Sequence, residues 1–363
     1  MKKIFSRSNQ NILRDCTLLN RERTFKRIYE LTCAHGDLTA AAWLENDEEK
    51  SITYTEISKM TDNYASFLRK YFGSKGMVCI SLDSCKEWFP LFWGLLRSGH
   101  DVILTDASFS DKMLTHLMEQ AGCHNIVSNK IRALDPQQYK QLLLSDLINA
   151  PEVKHYQPVW GKTVSLCTSG TTSTSKIFVY DEEAISYQVL VSQKVFKENR
   201  RIVNNKPYRS LVFLPFHHIL GFSALLLWSC FVGYTLVYLK DRSPKTIMQT
   251  AQRCKINHLI TVPVLVNNIC NKIQMQVKKK KFFSRMCFGF LKGFSIFAQW
   301  LLGDTGTRFA QKVLFRKTQK ELFGTDLKCL IVGGSHTPTR NLKLFNALGY
   351  LRLWHDGDRH HQH

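Results

Sequence analysis

No Cys-x-x-Cys pair occurs among the eleven cysteines of this 363-residue chain. Cys16, Cys33, Cys79, Cys85, Cys123, Cys167, Cys230, Cys254, Cys270, Cys287 and Cys329 stand singly, without zinc-finger spacing. No signal peptide is recognisable either. The two absences together predict a reducing, cytoplasmic setting with buried thiols. Acidic residues are scarce: 29 against 50 lysines and arginines, a net charge of +21. Such a surplus draws polyanions. A basic-region zipper and RNA-binding motifs are also missing, so nucleic acid is set aside as a partner. Anionic lipid and phosphorylated ligands remain. No internal repeat is present. Residues 211–239 lack Lys, Arg, Asp and Glu over a length that could span a bilayer. Pro215, His217, His218 and Gly221 interrupt that run. It divides better into a strand over 211–214, a polar turn, a helix over 222–231 and a strand over 235–238.

What is present fits a globular protein: 44% hydrophobic and 22% charged residues, with length for two or more core-forming lobes. The pattern predicts a strand over 40–44, an acidic turn over 45–49, and a helix with Ile57, Met60, Tyr64, Phe67 and Leu68 on one face. Gly73 and Gly76 end that helix. Strands over 77–82, 102–104 and 125–127 alternate with helices over 88–96 and 114–121. This order predicts an α/β fold with parallel, doubly wound sheets.

The most informative segment is Thr168-Ser169-Gly170-Thr171-Thr172-Ser173-Thr174-Ser175-Lys176, which follows the apolar run Val164-Ser165-Leu166-Cys167. Small side chains let backbone N–H groups approach phosphate oxygens, hydroxyls add donors, and lysine adds positive charge. No Gly-Lys-Ser/Thr closes the segment, so it is not a Walker A loop. A Ser/Thr-rich turn between two strands is the plainer reading.

This segment resembles the phosphate-binding signature of the adenylate-forming enzymes, the acyl-CoA synthetase and luciferase superfamily. That signature reads Thr-Ser-Gly-Ser/Thr-Thr-Gly-x-Pro-Lys. Here Ser173 replaces its second glycine and Ser175 its proline. Thr53-Tyr54-Thr55-Glu56-Ile57 resembles the family's Thr-Tyr-x-Glu-Leu, and Arg97-Ser98-Gly99 its Lys-Ala-Gly-like turn. The likeness runs from about residue 50 to about residue 350. It implies the large N-terminal portion of the adenylate-forming fold, in two doubly wound subdomains with the C-terminal lobe absent. Residues 1–163 form one subdomain, 164–350 the AMP-binding one, and 351–363 a tail foreign to the family.

The resemblance also implies chemistry. A carboxylic acid joins ATP, giving acyl-AMP and pyrophosphate, and the acyl group passes to coenzyme A with Mg²⁺ assisting. Thr168, Ser169, Gly170, Thr171, Thr172 and Lys176 would hold phosphates. Pro215-Phe216-His217-His218-Ile219-Leu220-Gly221 resembles the family's Pro-x-x-His-x-x-Gly, so His218 and Gly221 would shape the acyl pocket. A histidine satisfying a turn is the plainer alternative. His217 and His218 are not read as a metal pair, because neighbours on a strand face opposite ways. Gly333-Gly334-Ser335 follows an apolar strand over 327–332 and matches a turn that contacts adenine and acyl groups.

Residues 272–325 read as a basic helical insertion. Lys278, Lys279, Lys280 and Lys281 precede an aromatic-rich helical stretch, which suits an anionic membrane surface. The alternative is a helix packed on its own protein with its lysines in water. Such an insertion resembles the long-chain branch of the family and suggests a fatty acyl substrate. The family's Gly-Tyr-Gly-x-Thr-Glu, expected after Tyr350, is absent in frame. Suitable codons for Arg352 through Asp358, read one base on, encode Gly-Tyr-Gly-Met-Thr-Glu. A frameshift near Leu351 is therefore expected, with negligible ligase activity in the chain as it stands. A metal-binding histidine cluster in the tail is the lesser alternative.

Overall fold

The computed structural model describes residues 7–153, 155–167, 176–198, 208–279, 281–334 and 337–354. They form a mixed α/β protein whose contacts divide into two interleaved units. The first takes in residues 1–42, 50–206 and 214–238; the second takes in 43–49, 207–213 and 239–363.

The first unit holds a six-stranded sheet. Its order is Lys140–Leu143, Asn125–Ser128, Met77–Ser81, Asp101–Thr105, Thr163–Cys167, Ile177–Asp181. The first five strands run parallel, as the alternation with helices predicts for those over 77–82, 102–104 and 125–127; Lys140–Leu143, which the sequence pattern did not reveal, joins them with no helix before it. The last is antiparallel, with Thr163 opposite Asp181 and Cys167 opposite Ile177. A connection of nine residues is too short for a crossover, so the chain turns back on itself. Val78, Ile80, Val102, Leu104, Ile126 and Val164 are fully buried, the near-continuous apolar runs that a sheet covered on both faces needs.

Two helices show how sequence sets structure here. Helix Tyr54–Phe72 starts at a capping box. Glu56 N–H donates to Thr53 Oγ1 at 3.1 Å, and Thr53 N–H donates to the Glu56 carboxylate at 2.7 Å. Two orphan amides at the helix start are thereby satisfied. Tyr54, fully buried, donates its hydroxyl to the Tyr234 carbonyl at 2.6 Å. Helix Trp88–Arg97 is apolar on every side and buried along its whole length. Arg97 ends it, paired with Asp62 and stacked on Tyr29 at 4.6 Å and Trp160 at 5.5 Å.

In the second unit, strands Leu351–Trp354, Cys329–Val332, His258–Thr261 and Arg209–Val212 lie side by side in that order. They pair in parallel, with His258 opposite Cys329 and Cys329 opposite Leu351. The expected strand over 211–214 therefore sits two residues earlier. Residues 351–354, read above as part of the tail, form a backbone-paired strand; 355–363 lie outside the described residues.

The acidic stretch after residue 45 is a second departure. It is a hairpin between strands Thr39–Glu45 and Glu48–Thr53, not a plain turn. Asn46 and Asp47 take positive φ (49° and 65°), the conformation a two-residue hairpin turn demands. Eight of the eleven thiols are buried, as expected, whereas Cys33, Cys85 and Cys287 are half-buried.

Candidate functional site

In the first unit the site begins where parallel strands stop. Val102, Ile103 and Leu104 sit in register with Val164, Ser165 and Leu166. Asp106 and the segment beginning at Thr168 thus leave the sheet at the carboxyl ends of neighbouring strands, the place where ligands gather in such sheets. Thr168, Ser169, Gly170, Thr171 and Thr172 lie outside the described residues. Their frame is described. On either side of them Cys167 pairs with Ile177 in the antiparallel ladder, and Lys176 is exposed.

Asp106 was not picked out from sequence, yet it organises this end of the sheet. Its carboxylate accepts from the Ser108 N–H at 2.8 Å and the Ser108 hydroxyl at 2.7 Å, and lies 3.3 Å from His217 Nε2. Burial acts to raise the carboxyl's pKa. The Ser108 donors, His217 and His218 outweigh it and hold the group below its ordinary value. The buried Arg132 fixes the following loop, donating to the Ala107 carbonyl at 2.6 Å, the Phe109 carbonyl at 2.9 Å and the Ser81 hydroxyl at 3.0 Å. An acidic residue just past a buried strand was the available signal.

The turn at Pro215 supplies the histidines. Phe216 is its anchor, fully buried edge-on against Trp88 at 5.3 Å. Its N–H donates to Ser84 Oγ at 3.3 Å. His218 is exposed; its N–H reaches the Pro215 carbonyl at 3.3 Å, and its carbonyl accepts from the Phe222 N–H at 2.8 Å. His217 and His218 do not face opposite ways: they lie in a turn and not on a strand, with ring centroids 4.3 Å apart. Among the described residues no group of three His, Cys, Asp or Glu side chains is placed to hold a metal.

Gly221 has a steric reason to be glycine. A Cβ there would lie 2.0 Å from the Pro215 oxygen. The expected helix begins as a π-helix, Gly221–Trp228, and continues as an α-helix, Ser229–Val232. The Ser229 hydroxyl donates five residues back to the Ala224 carbonyl at 3.0 Å. Short π segments frequently mark functional sites. The strand Thr235–Tyr238 falls where the pattern placed it.

Gly333 and Gly334 belong to the second unit. They follow strand Cys329–Val332 at its carboxyl end. Gly333 is buried and donates its N–H to the Thr261 carbonyl at 3.1 Å. Gly334 has φ of 95°, open to glycine and strained for other residues. Ser335 lies outside the described residues. The lysine cluster joins two helices: Lys278 ends Pro263–Lys278, and Lys279 and Lys281 stand exposed before Phe282–Leu302. Lys280 is outside the described residues.

The chain belongs to the AMP-binding enzyme family, whose sequence model matches residues 32–351. No curated protein matches it in sequence. Solved structures give the same fold as the N-terminal subdomains of adenylate-forming enzymes. The N-terminal subdomain of Klebsiella oxytoca NpsA is 14% identical at a TM-score of 0.64, with 91% of this chain and 74% of that one covered. The inhibitor-bound N-terminal domain of FACL13 from Mycobacterium tuberculosis is 15% identical at 0.62, with 90% and 73% covered. The o-succinylbenzoate CoA synthetase MenE of Bacillus subtilis, bound to a product analogue, is 14% identical at 0.64. This chain spans 57% of MenE's length.

Proposed function

We propose that the chain is the AMP-binding portion of an acyl-CoA synthetase-like ligase that activates a carboxylic acid with ATP. One observation carries the reading. Two paired strands, Thr163–Cys167 and Ile177–Asp181, flank the hydroxyl-rich sequence that ends in the exposed Lys176, and Asp106, ion-paired with His217, follows the neighbouring parallel strand. The donor set suits phosphate: the hydroxyls and backbone amides of Thr168, Ser169, Gly170, Thr171 and Thr172 orient the oxygens, and Lys176 neutralises them. His218 and Gly221 are assigned to the acyl site. Gly333, Gly334 and Ser335 are assigned to the adenine and acyl groups.

In the proposed reaction a carboxylate oxygen attacks the α-phosphorus and pyrophosphate leaves. The coenzyme A thiol then takes the acyl carbon and AMP leaves. Mg²⁺, arriving on the phosphates with few protein ligands, would neutralise their charge. The basic helical insertion supports a fatty acid as the carboxylate. The codon reading supports a frameshift near Leu351, and no Gly-Tyr-Gly-x-Thr-Glu follows Tyr350 in frame. This form is therefore expected to bind nucleotide or acyl-AMP without turnover, since holding ATP alone does little to stabilise a transition state.

Calorimetry with ATP and with a non-hydrolysable acyl-AMP analogue tests binding. Lys176→Ala should weaken ATP at least tenfold, as expected for one lost charge-assisted contact worth about 1.5–3 kcal/mol. Unchanged affinity removes the lysine from the site. Acyl-CoA formation from ATP, palmitate and coenzyme A by the purified chain would refute the inactivity. The coding DNA decides the frame: a Leu353 codon without A at its third base eliminates the tyrosine.

A further inference from the structure

Helix Phe282–Leu302 is packed inside out. The stripe it buries is small and polar. Ser295 and Ala298 are buried, the Ser295 hydroxyl donates to the Ala347 carbonyl at 2.6 Å, and Gln299 Nε2 donates to the Asn346 carbonyl at 2.8 Å. The stripe it leaves outside is apolar. Phe283, Met286, Phe290, Phe294, Phe297 and Leu301 recur every three or four residues, and all are exposed. Phe290 is 73% exposed and Trp300, beside Phe297 at 6.0 Å, is 79% exposed. Phe309, on the next helix, is exposed and edge-on to Phe294 at 6.4 Å, and extends the patch. An unbroken aromatic surface of this kind on a folded protein marks an interaction site.

Charge states what it meets. No aspartate or glutamate occurs between Asp241 and Asp304. Lys278, Lys279 and Lys281 stand exposed at the helix start. Arg285 and Lys292, seven residues apart and both exposed, form a basic row along the same helix. Aromatic residues on one face and cations beside them are the composition of a helix lying in the plane of a bilayer interface. Among the described residues no helix is long and apolar enough to cross a membrane.

We propose that helix Phe282–Leu302 docks the chain on an anionic lipid surface, its aromatic stripe at the headgroup–acyl boundary and its lysines on the phosphates. The docking does not depend on nucleotide binding. Flotation of the full chain with phosphatidylcholine vesicles containing phosphatidylglycerol tests it. The chain should float with these vesicles and not with phosphatidylcholine alone. Replacing Lys278, Lys279 and Lys281 with glutamine should weaken partition about 100-fold, at about fivefold per lysine near an anionic surface. The double variant Phe290→Ser, Trp300→Ser should weaken it at least tenfold with an unchanged melting curve, because both side chains stand outside the core. Lys176→Ala should float like the parent, which separates this result from the nucleotide reading. No flotation, or flotation indifferent to the aromatic variant, overturns the proposal. So does a dimer in sedimentation that the aromatic variant makes monomeric, since the patch would then belong to a second copy of the chain.

Discussion

Gly221→Ala pits two effects of known sign against each other. Helix propensity favours the change, since alanine is better than glycine in a helix by up to about 1 kcal/mol. Space opposes it. The new Cβ would stand 2.0 Å from the Pro215 oxygen, 2.8 Å from its carbonyl carbon and 3.4 Å from Leu214 Cβ. The nearest obstacles are backbone, so no side chain can swing aside. The turn would have to retreat by about an ångström, against Phe216 buried on Trp88 and its amide bonded to Ser84. Overpacking of this kind costs about 1–3 kcal/mol, and more where backbone must shift. A net loss of about 2–3 kcal/mol is expected, lowering Tm by roughly 4–12 °C for a domain of this size. Gly289→Ala is the control: it lies in helix Phe282–Leu302, and its Cβ would meet nothing within 4 Å. That variant should be as stable as the parent or gain up to about 1 kcal/mol. Equal urea midpoints for the two variants would refute the steric argument and leave Gly221 without a structural reason.

Two further outcomes follow from the first unit. Thr53→Ala removes one half of the capping box and should cost about 1 kcal/mol in urea unfolding, with little further loss when Glu56→Gln is added. His100 is buried with Nδ1 2.8 Å from the Ser98 hydroxyl, and burial, aided by Arg69 against Asp101, lowers its pKa from 6.5 to about 4. The unfolded chain then binds the proton more readily, so stability is full above pH 6.5 and falls as pH drops toward 4. His100→Gln should flatten that part of the profile; a parallel slope in parent and variant would assign it to other groups.

How much of this was legible depends on the physics at each place. Thr53 and Glu56 sit three apart ahead of an apolar face, a local signal, and the helix starts where they put it. The parallel strands were legible because burial on both faces makes them continuous apolar runs. Asn46 and Asp47 were hidden within an acidic stretch, since their positive φ comes from pairing between strands and not from composition. Asp106 was missed because its importance lies in His217, more than one hundred residues away in sequence. The helix at Phe282–Leu302 was visible as basic and aromatic, but only three-dimensional packing shows which stripe faces out.

The distribution of sulfur has a practical corollary. Burial raises the Cys33 thiol to about 11 and, with Glu87 beside it, the Cys85 thiol to about 12, so neither holds much thiolate at neutral pH. Alkylating reagents should therefore modify Cys33 and Cys85 slowly at neutral pH. Cys287 sits within the aromatic helix itself, and a fluorophore attached there would report on whatever that helix encounters.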